Sequence, residues 1–185
     1  TFGGHALPIT FGSKVARWLI SCCRHLERSR EIRPRILVGQ FGGAVGTLAS
    51  LGSRGFEVRA RLLDRLKLTH PIVTWHVARD SVSEAVCFLG LIMATLGKIA
   101  SDVSALSTTE IGELAEPASG GRNTSSTLPQ KRNPVFSGQI IAAARIVSQY
   151  VPLMLNASQH DHERQRRPGP VHAVRERGAA GHAAA

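Results

Sequence analysis

Apolar residues in this chain recur three and four apart, and almost nowhere do they alternate with polar ones. Val82, Val86, Leu89, Met93, Leu96, Ala100, Val103 and Ser107 form a heptad seam across 26 residues. That spacing predicts one helix about 39 Å long at ~1.5 Å per residue. A small globule cannot cover so long a stripe, so the pattern implies a bundle of long helices assembled from several subunits. Upstream, after Pro8-Ile9-Thr10, the residues Val15, Trp18, Leu19, Cys22 and Leu26 mark one face of a helix running to about Arg30. Val58, Leu62, Leu63 and Leu66 predict a short amphipathic helix, followed by a turn at His70-Pro71. Ile140, Ala144, Val147 and Val151 predict another helix, packed near-antiparallel to the heptad one. Pro134 lies in its first turn and Asn133 is its N-cap, while Pro152 kinks or ends it. The fold class is all-α.

Glycine separates these elements. Phe41-Gly42-Gly43-Ala44-Val45-Gly46-Thr47 reads as a loop or a tight packing point. It lacks the strand-to-helix frame and terminal Lys of a phosphate cradle.

Composition narrows the possible functions. At 185 residues and 43% hydrophobic the chain can bury a core. Its opening at Thr1 rather than Met reads as a fragment or a processed product, and Thr1-Phe2-Gly3 does not resemble the start of a signal peptide. No apolar run is expected to reach a membrane span, because Ala85 to Leu96 is interrupted by Gly90 and followed by Lys98. Cys22 and Cys23 are adjacent and Cys87 is alone, which is neither a disulfide framework nor a metal spacing, so a reducing cytoplasm is the expected compartment. The net charge is +10. Twelve cations between Lys14 and Lys67 face only Glu27, Glu31, Glu57 and Asp64. They lack interleaved aromatics and any nucleic-acid-binding signature, so they read as solvated helix faces, some of them turned to an anionic substrate or a neighbouring subunit. Neither nucleic acid nor membrane is an expected partner.

One stretch concentrates chemistry: Thr124-Ser125-Ser126-Thr127-Leu128-Pro129-Gln130-Lys131-Arg132-Asn133-Pro134. It is a loop by composition that gathers four hydroxyls, two cations and two side-chain amides ahead of a helix start. Lys131 and Asn133 would sit at the positive end of that helix, where free N–H groups and the macrodipole favour an anion. Upstream, Pro117-Ala118-Ser119-Gly120-Gly121 has the composition of a lid.

This stretch resembles G-S-S-x-M-P-x-K-x-N-P, the signature of the fumarase/aspartase superfamily, with six of eight fixed letters matched. Thr124 replaces Gly and Leu128 replaces Met. The resemblance continues through Ala6 to Gly12, Thr74-Trp75-His76-Val77-Ala78-Arg79-Asp80, Thr95 to Val103, Thr109-Glu110-Ile111-Gly112-Glu113, Ala115-Glu116-Pro117 and His162-Glu163-Arg164. Gly4 stands where the family has a substrate-binding Gln, and Phe2 where adenylosuccinate lyases carry the His of a Thr-His pair. With Gly112 in place of an Arg, these features are most similar to the 3-carboxy-cis,cis-muconate cycloisomerase branch.

The resemblance implies a long-helix bundle, a homotetramer whose active sites are shared between subunits, a polycarboxylate substrate, and neither cofactor nor metal. It implies Ser125 as the proton-transfer residue, with Ser126, Lys131, Asn133, Thr1 and Arg79 binding substrate. It covers Thr1 to about Arg164, a central-domain fragment whose N- and C-terminal parts are missing. Residues 165–185, with Arg166-Arg167-Pro168-Gly169-Pro170 and a Gly/Ala/His end, read as a disordered basic tail, and a reading-frame slip would account for it. Two residues stay open. His76 is a proton-transfer group or a residue at a helix start, and Arg79 beside Asp80 clamps a carboxylate or forms a structural pair. His160, Asp161 and His162 would point apart at a helix end, which argues against a metal cluster.

Overall fold

The computed structural model of the chain describes Gly4 and residues 7–117, 127–128 and 131–159. Four helices occupy them: α1 Phe11–Ile36, α2 Gly55–Leu66, α3 Asp80–Leu106 and α4 Val135–Ala157. Among the described residues there is no strand; isolated bridge residues are Val38, paired in parallel with Thr69, and Arg132. The all-α expectation is met.

The helices divide between two compact units. The first comprises Thr1–Ile36 and Val82–Met154, and the second comprises Leu37–Ser81 and Leu155–Ala185. In the first unit, three cross-links fix the register of α1 on α3. The Trp18 indole N–H donates to Asp102 at 2.9 Å, the His25 ring meets the Thr95 hydroxyl at 2.8 Å, and Arg35 pairs with Glu84. Residue numbers rise along α1 as they fall along α3, so the two run antiparallel. A Cβ on Gly97 would lie 2.8 Å from the Ala144 Cβ, and one on Gly90 would lie 2.7 Å from Val151 Cγ2. Hence α3 and α4 are antiparallel too, with the two glycines one heptad apart at the contact. Gly90 is not a break in the heptad helix, because it admits a neighbour.

Two helices outrun their sequence signals. α1 continues past Arg30 to Ile36 with Pro34 inside it. Proline there removes one N–H bond, but Ile32 is buried and Arg35 donates to the Glu31 carbonyl at 3.0 Å, which hold the last turn. α4 likewise continues past Pro152 to Ala157.

The expectation that no apolar segment reaches a membrane span is overturned. α3 and α4 are each long and apolar enough to cross a membrane by length and composition. Gly90 and Lys98 do not interrupt α3, and Lys98 is paired with Asp102 one turn away. The interior helices of large bundles share this composition.

In the second unit Leu63 of α2 is the most enclosed side chain, at 1% exposure. Gly39 presses against it so closely that a Cβ would fall 2.1 Å from Leu63 Cδ2. α2 closes on Lys67 in the left-handed conformation, with its N–H turned back to the Asp64 and Leu63 carbonyls.

Candidate functional site

The expected site lies around the start of α4. Ser125, Ser126 and Thr1 fall outside the described residues, as do His160, Asp161 and His162. Lys131 and Asn133 are described. The exposed Lys131 donates its backbone N–H to the Leu128 carbonyl at 3.0 Å, and the Asn133 carbonyl accepts from Val135 at 2.9 Å.

The helix begins one residue later than expected, and Asn133 is not its cap. Gly138 donates to the Pro134 carbonyl at 3.0 Å, which puts Pro134 at the N-cap position. The free donors of the first turn are taken by a carboxylate from upstream. Glu116 accepts from the Phe136 N–H at 3.0 Å, the Ser137 N–H at 2.8 Å and the Ser137 hydroxyl at 2.7 Å. Proline has no side-chain oxygen to serve these groups, and the carboxylate does so with the favourable sign for a helix N-terminus. Burial raises the Glu116 pKa, but the bonds from Ser137 and the neighbouring N–H groups outweigh it and hold the carboxyl below its ordinary range. The sequence reading reserved this position for an external anion. In the structure the chain's own Glu116 fills the first turn, and Lys131 and Arg132 precede it as exposed cations. The signal was present in Ala115-Glu116-Pro117, which the reading used only for resemblance.

Arg79, open in the sequence between a carboxylate clamp and a pair with Asp80, has a contact with the end of α4. Its guanidinium donates to the carbonyl of Ala157, the last residue of α4, at 3.4 Å. Lys131 and Asn133 thus lie just before the first turn of α4, and Arg79 meets the last.

His76 lies in a clamp of loops in the second unit. The Gln40 side-chain oxygen accepts the Trp75 N–H at 3.0 Å, so its amide nitrogen faces His76 Nδ1, with which it is in contact. The Trp75 indole donates to the Gly39 carbonyl at 3.0 Å and the Thr74 hydroxyl to the Gly46 carbonyl at 2.9 Å. An amide donor on Nδ1 assigns the ring proton to Nε2, which is buried without a partner among the described residues. Sequence reasoning missed Gln40, because nothing local marks it as the partner of a histidine far along the chain. The loop Phe41–Thr47 is a packing loop, as its glycines predicted.

Gly112 ends the turn after α3 at φ 62, with its N–H on the Thr108 carbonyl at 2.8 Å. That left-handed conformation disfavours a side chain such as Arg. No group of three metal-ligating side chains occurs among the described residues.

The sequence profile of a family described as "Lyase" matches residues 1–148. A 3-carboxy-cis,cis-muconate cycloisomerase of Pseudomonas aeruginosa is 49% identical over 160 residues, covering 86% of this chain and 35% of that protein. An N-acetyl-S-(2-succino)cysteine lyase of Enterococcus italicus is 44% identical, over 89% of this chain and 36% of that protein. Among solved structures, a 3-carboxy-cis,cis-muconate lactonizing enzyme from Pseudomonas putida superposes with a TM-score of 0.79 at 43% identity, covering 89% of this chain and 36% of that one. The chain thus spans little more than a third of the relatives it matches.

Proposed function

Because the chain belongs to this lyase family of the fumarase/aspartase superfamily, we propose that it is the central helical part of a 3-carboxy-cis,cis-muconate cycloisomerase, acting in aromatic (protocatechuate) degradation. The observation that carries this reading is 49% identity to a cycloisomerase across 86% of the chain.

In that reaction a substrate carboxylate oxygen bonds to one alkene carbon and a proton is delivered to its neighbour. Negative charge develops on the carboxylate adjoining the protonated carbon. Ser125 transfers the proton, and the cations and donors around it favour its alkoxide. Lys131 and Asn133 hold a carboxylate beside the start of α4, with Ser126, Thr1 and Arg79 completing substrate recognition. The exposed position of Lys131, next to a helix start already neutralised by Glu116, supports its engaging an external carboxylate rather than the helix. The large apolar surface of α3 and α4 supports assembly with further helices, as in a homotetramer with shared sites. The reaction needs no cofactor.

A second reading has its own support. Identity to the succinocysteine lyase, at 44%, lies close to that of the cycloisomerases, so elimination from another carboxylated substrate is the alternative; adenylosuccinate is the remaining candidate. Truncation to an inactive paralogue would leave neither activity. Absorbance assays of the protein containing this chain, with each of the three substrates, separate the readings. Turnover of carboxymuconate is expected, with Ser125→Ala lowering it by orders of magnitude at unchanged melting temperature. Lys131→Met should lose roughly ten- to a hundredfold, mainly in substrate capture, as for one charge-assisted bond of about 1.5–3 kcal/mol. Turnover of only another substrate, or a Ser125→Ala variant within a few fold of the parent, would overturn the reading.

A further inference from the structure

The groove between α1 and α3 is a second concentration of polar chemistry, lined among the described residues by these two helices. It encloses about 540 Å³, which lies within the range of small-molecule sites. Arg17, Arg24 and Arg28 line it from α1 and Lys98 from α3, with no carboxylate among the described lining residues. The α1 positions are seven and four apart, so all three guanidinium groups stand on one face of the helix.

Some cations on these helices are neutralised, although Arg30 and Arg33 of α1 have no acidic partner among the described residues. Arg35 is paired with Glu84, and Lys14 and Lys98 share Asp102. The three groove arginines meet no carboxylate among the described residues. Their polar contacts are with neutral groups: Arg24 donates to the Ser21 hydroxyl at 3.0 Å, and Arg28 meets His25 Nδ1 at 3.4 Å.

The walls are tied together. With Arg28 donating to Nδ1, the His25 ring carries its proton on Nε2 and donates it to the Thr95 hydroxyl at 2.8 Å. Burial, helped by the charges of Arg28 and Arg24, lowers the pKa of His25, so the ring stays a neutral strut. Apolar atoms of Leu91, Ala94 and Ile99 form the other wall.

We infer that the α1/α3 groove binds a compact organic polyanion carrying two or more carboxylate or phosphate groups. The guanidinium forks of Arg17, Arg24 and Arg28 take the oxyanions, and the Leu91–Ile99 wall takes the apolar body. Three uncompensated cations suit an anion of more than one charge. A second copy of this chain, itself strongly basic, would bring like charge to the groove.

Calorimetric titration of the chain with citrate and with tripolyphosphate tests the site. Saturable binding of one equivalent per chain is expected for at least one probe. Citrate alone would identify a carboxylate source and tripolyphosphate alone a phosphate source, and either supports the site. Exchanging Arg17, Arg24 and Arg28 for Gln should each weaken it about three- to tenfold, as for exposed charge-assisted contacts. Glutamine retains helix propensity, and an unchanged helical melt verifies folding. The triple variant Arg30→Gln, Arg54→Gln, Arg65→Gln removes the same charge from exposed positions outside the groove and should leave binding unchanged. Equal losses in both sets would reduce the effect to net charge and overturn the proposal. Two further results would also overturn it: no saturable binding of either probe, or groove variants that change only oligomeric mass or oligonucleotide binding.

Discussion

α3 presents two faces with opposite fates. The face turned to α1 is tied to its own chain through Glu84, Thr95 and Asp102, and it also carries the apolar groove wall of Leu91, Ala94 and Ile99. The heptad seam, which carries the strongest periodic signal in the sequence, is only partly covered: Val82, Leu89 and Leu96 are exposed, Leu89 at 54%, while Val86, Met93, Val103 and Ser107 are half-buried and Ala100 is buried. Periodicity therefore identified a face that needs burial, and this chain covers only part of it. Specific register came from hydrogen bonds and from the glycines at the α4 contact. Part of the seam remains open within the described residues, as expected of a helix made for a larger bundle.

The most disruptive test of this contrast is Gly97→Leu. Its Cβ would meet the Ala144 Cβ at 2.8 Å, with the rest of the side chain still to place. Overpacking of this kind costs about 1–3 kcal/mol, sometimes more, and should appear as a lowered denaturation midpoint. An unchanged midpoint would mean that α4 does not pack on α3 through the glycines.

Acid should open the polar face next. Burial raises the Asp102 pKa, but bonds from Lys98 and Trp18 and the charges of Lys98 and Lys14 outweigh it, so the folded value is lowered. Its contribution to stability is then fully present above the ordinary carboxylate range and lost as pH falls through the lowered folded value. Glu116 behaves with the same sign at the start of α4. Melting temperature measured against pH should fall below the ordinary range, and Asp102→Asn and Glu116→Gln should each flatten that limb. A limb unaltered by both changes would remove these carboxylates from the stability of the unit.

The smallest effect on the folded chain belongs to the seam. Leu89→Ser and Leu96→Ser replace exposed side chains, so the stability of the single chain should shift by no more than about 0.5 kcal/mol. The same variants should reduce assembly, read as a lower mass by light scattering. Large destabilisation without loss of mass would show that the seam is buried within one chain.

The α4 start shows how far local reading of the site reached. Proline and the apolar spacing placed the helix within one residue, because those effects act over a single turn. Asn133 was nonetheless the wrong cap. A carboxylate from Glu116 reached the same donors, and no local rule brings a distant residue to a helix end. Gln40 beside His76 was hidden for the same reason.

Sequence alone determined the helical class, the position of each long helix, the integrity of α3 through Gly90 and, through its signature stretch, the lyase family. These follow from spacing and from residue chemistry carried within one segment. Only the tertiary structure decided that Glu116 neutralises the start of α4, that Arg79 meets the end of α4, and that Arg17, Arg24 and Arg28 share a groove without a carboxylate. It also carried α1 past Pro34, by burying Ile32 and pairing Arg35 with Glu84. Each of these depends on which side chains meet across the chain, and that is settled by packing free energy summed over separate helices rather than by the preferences of any one of them.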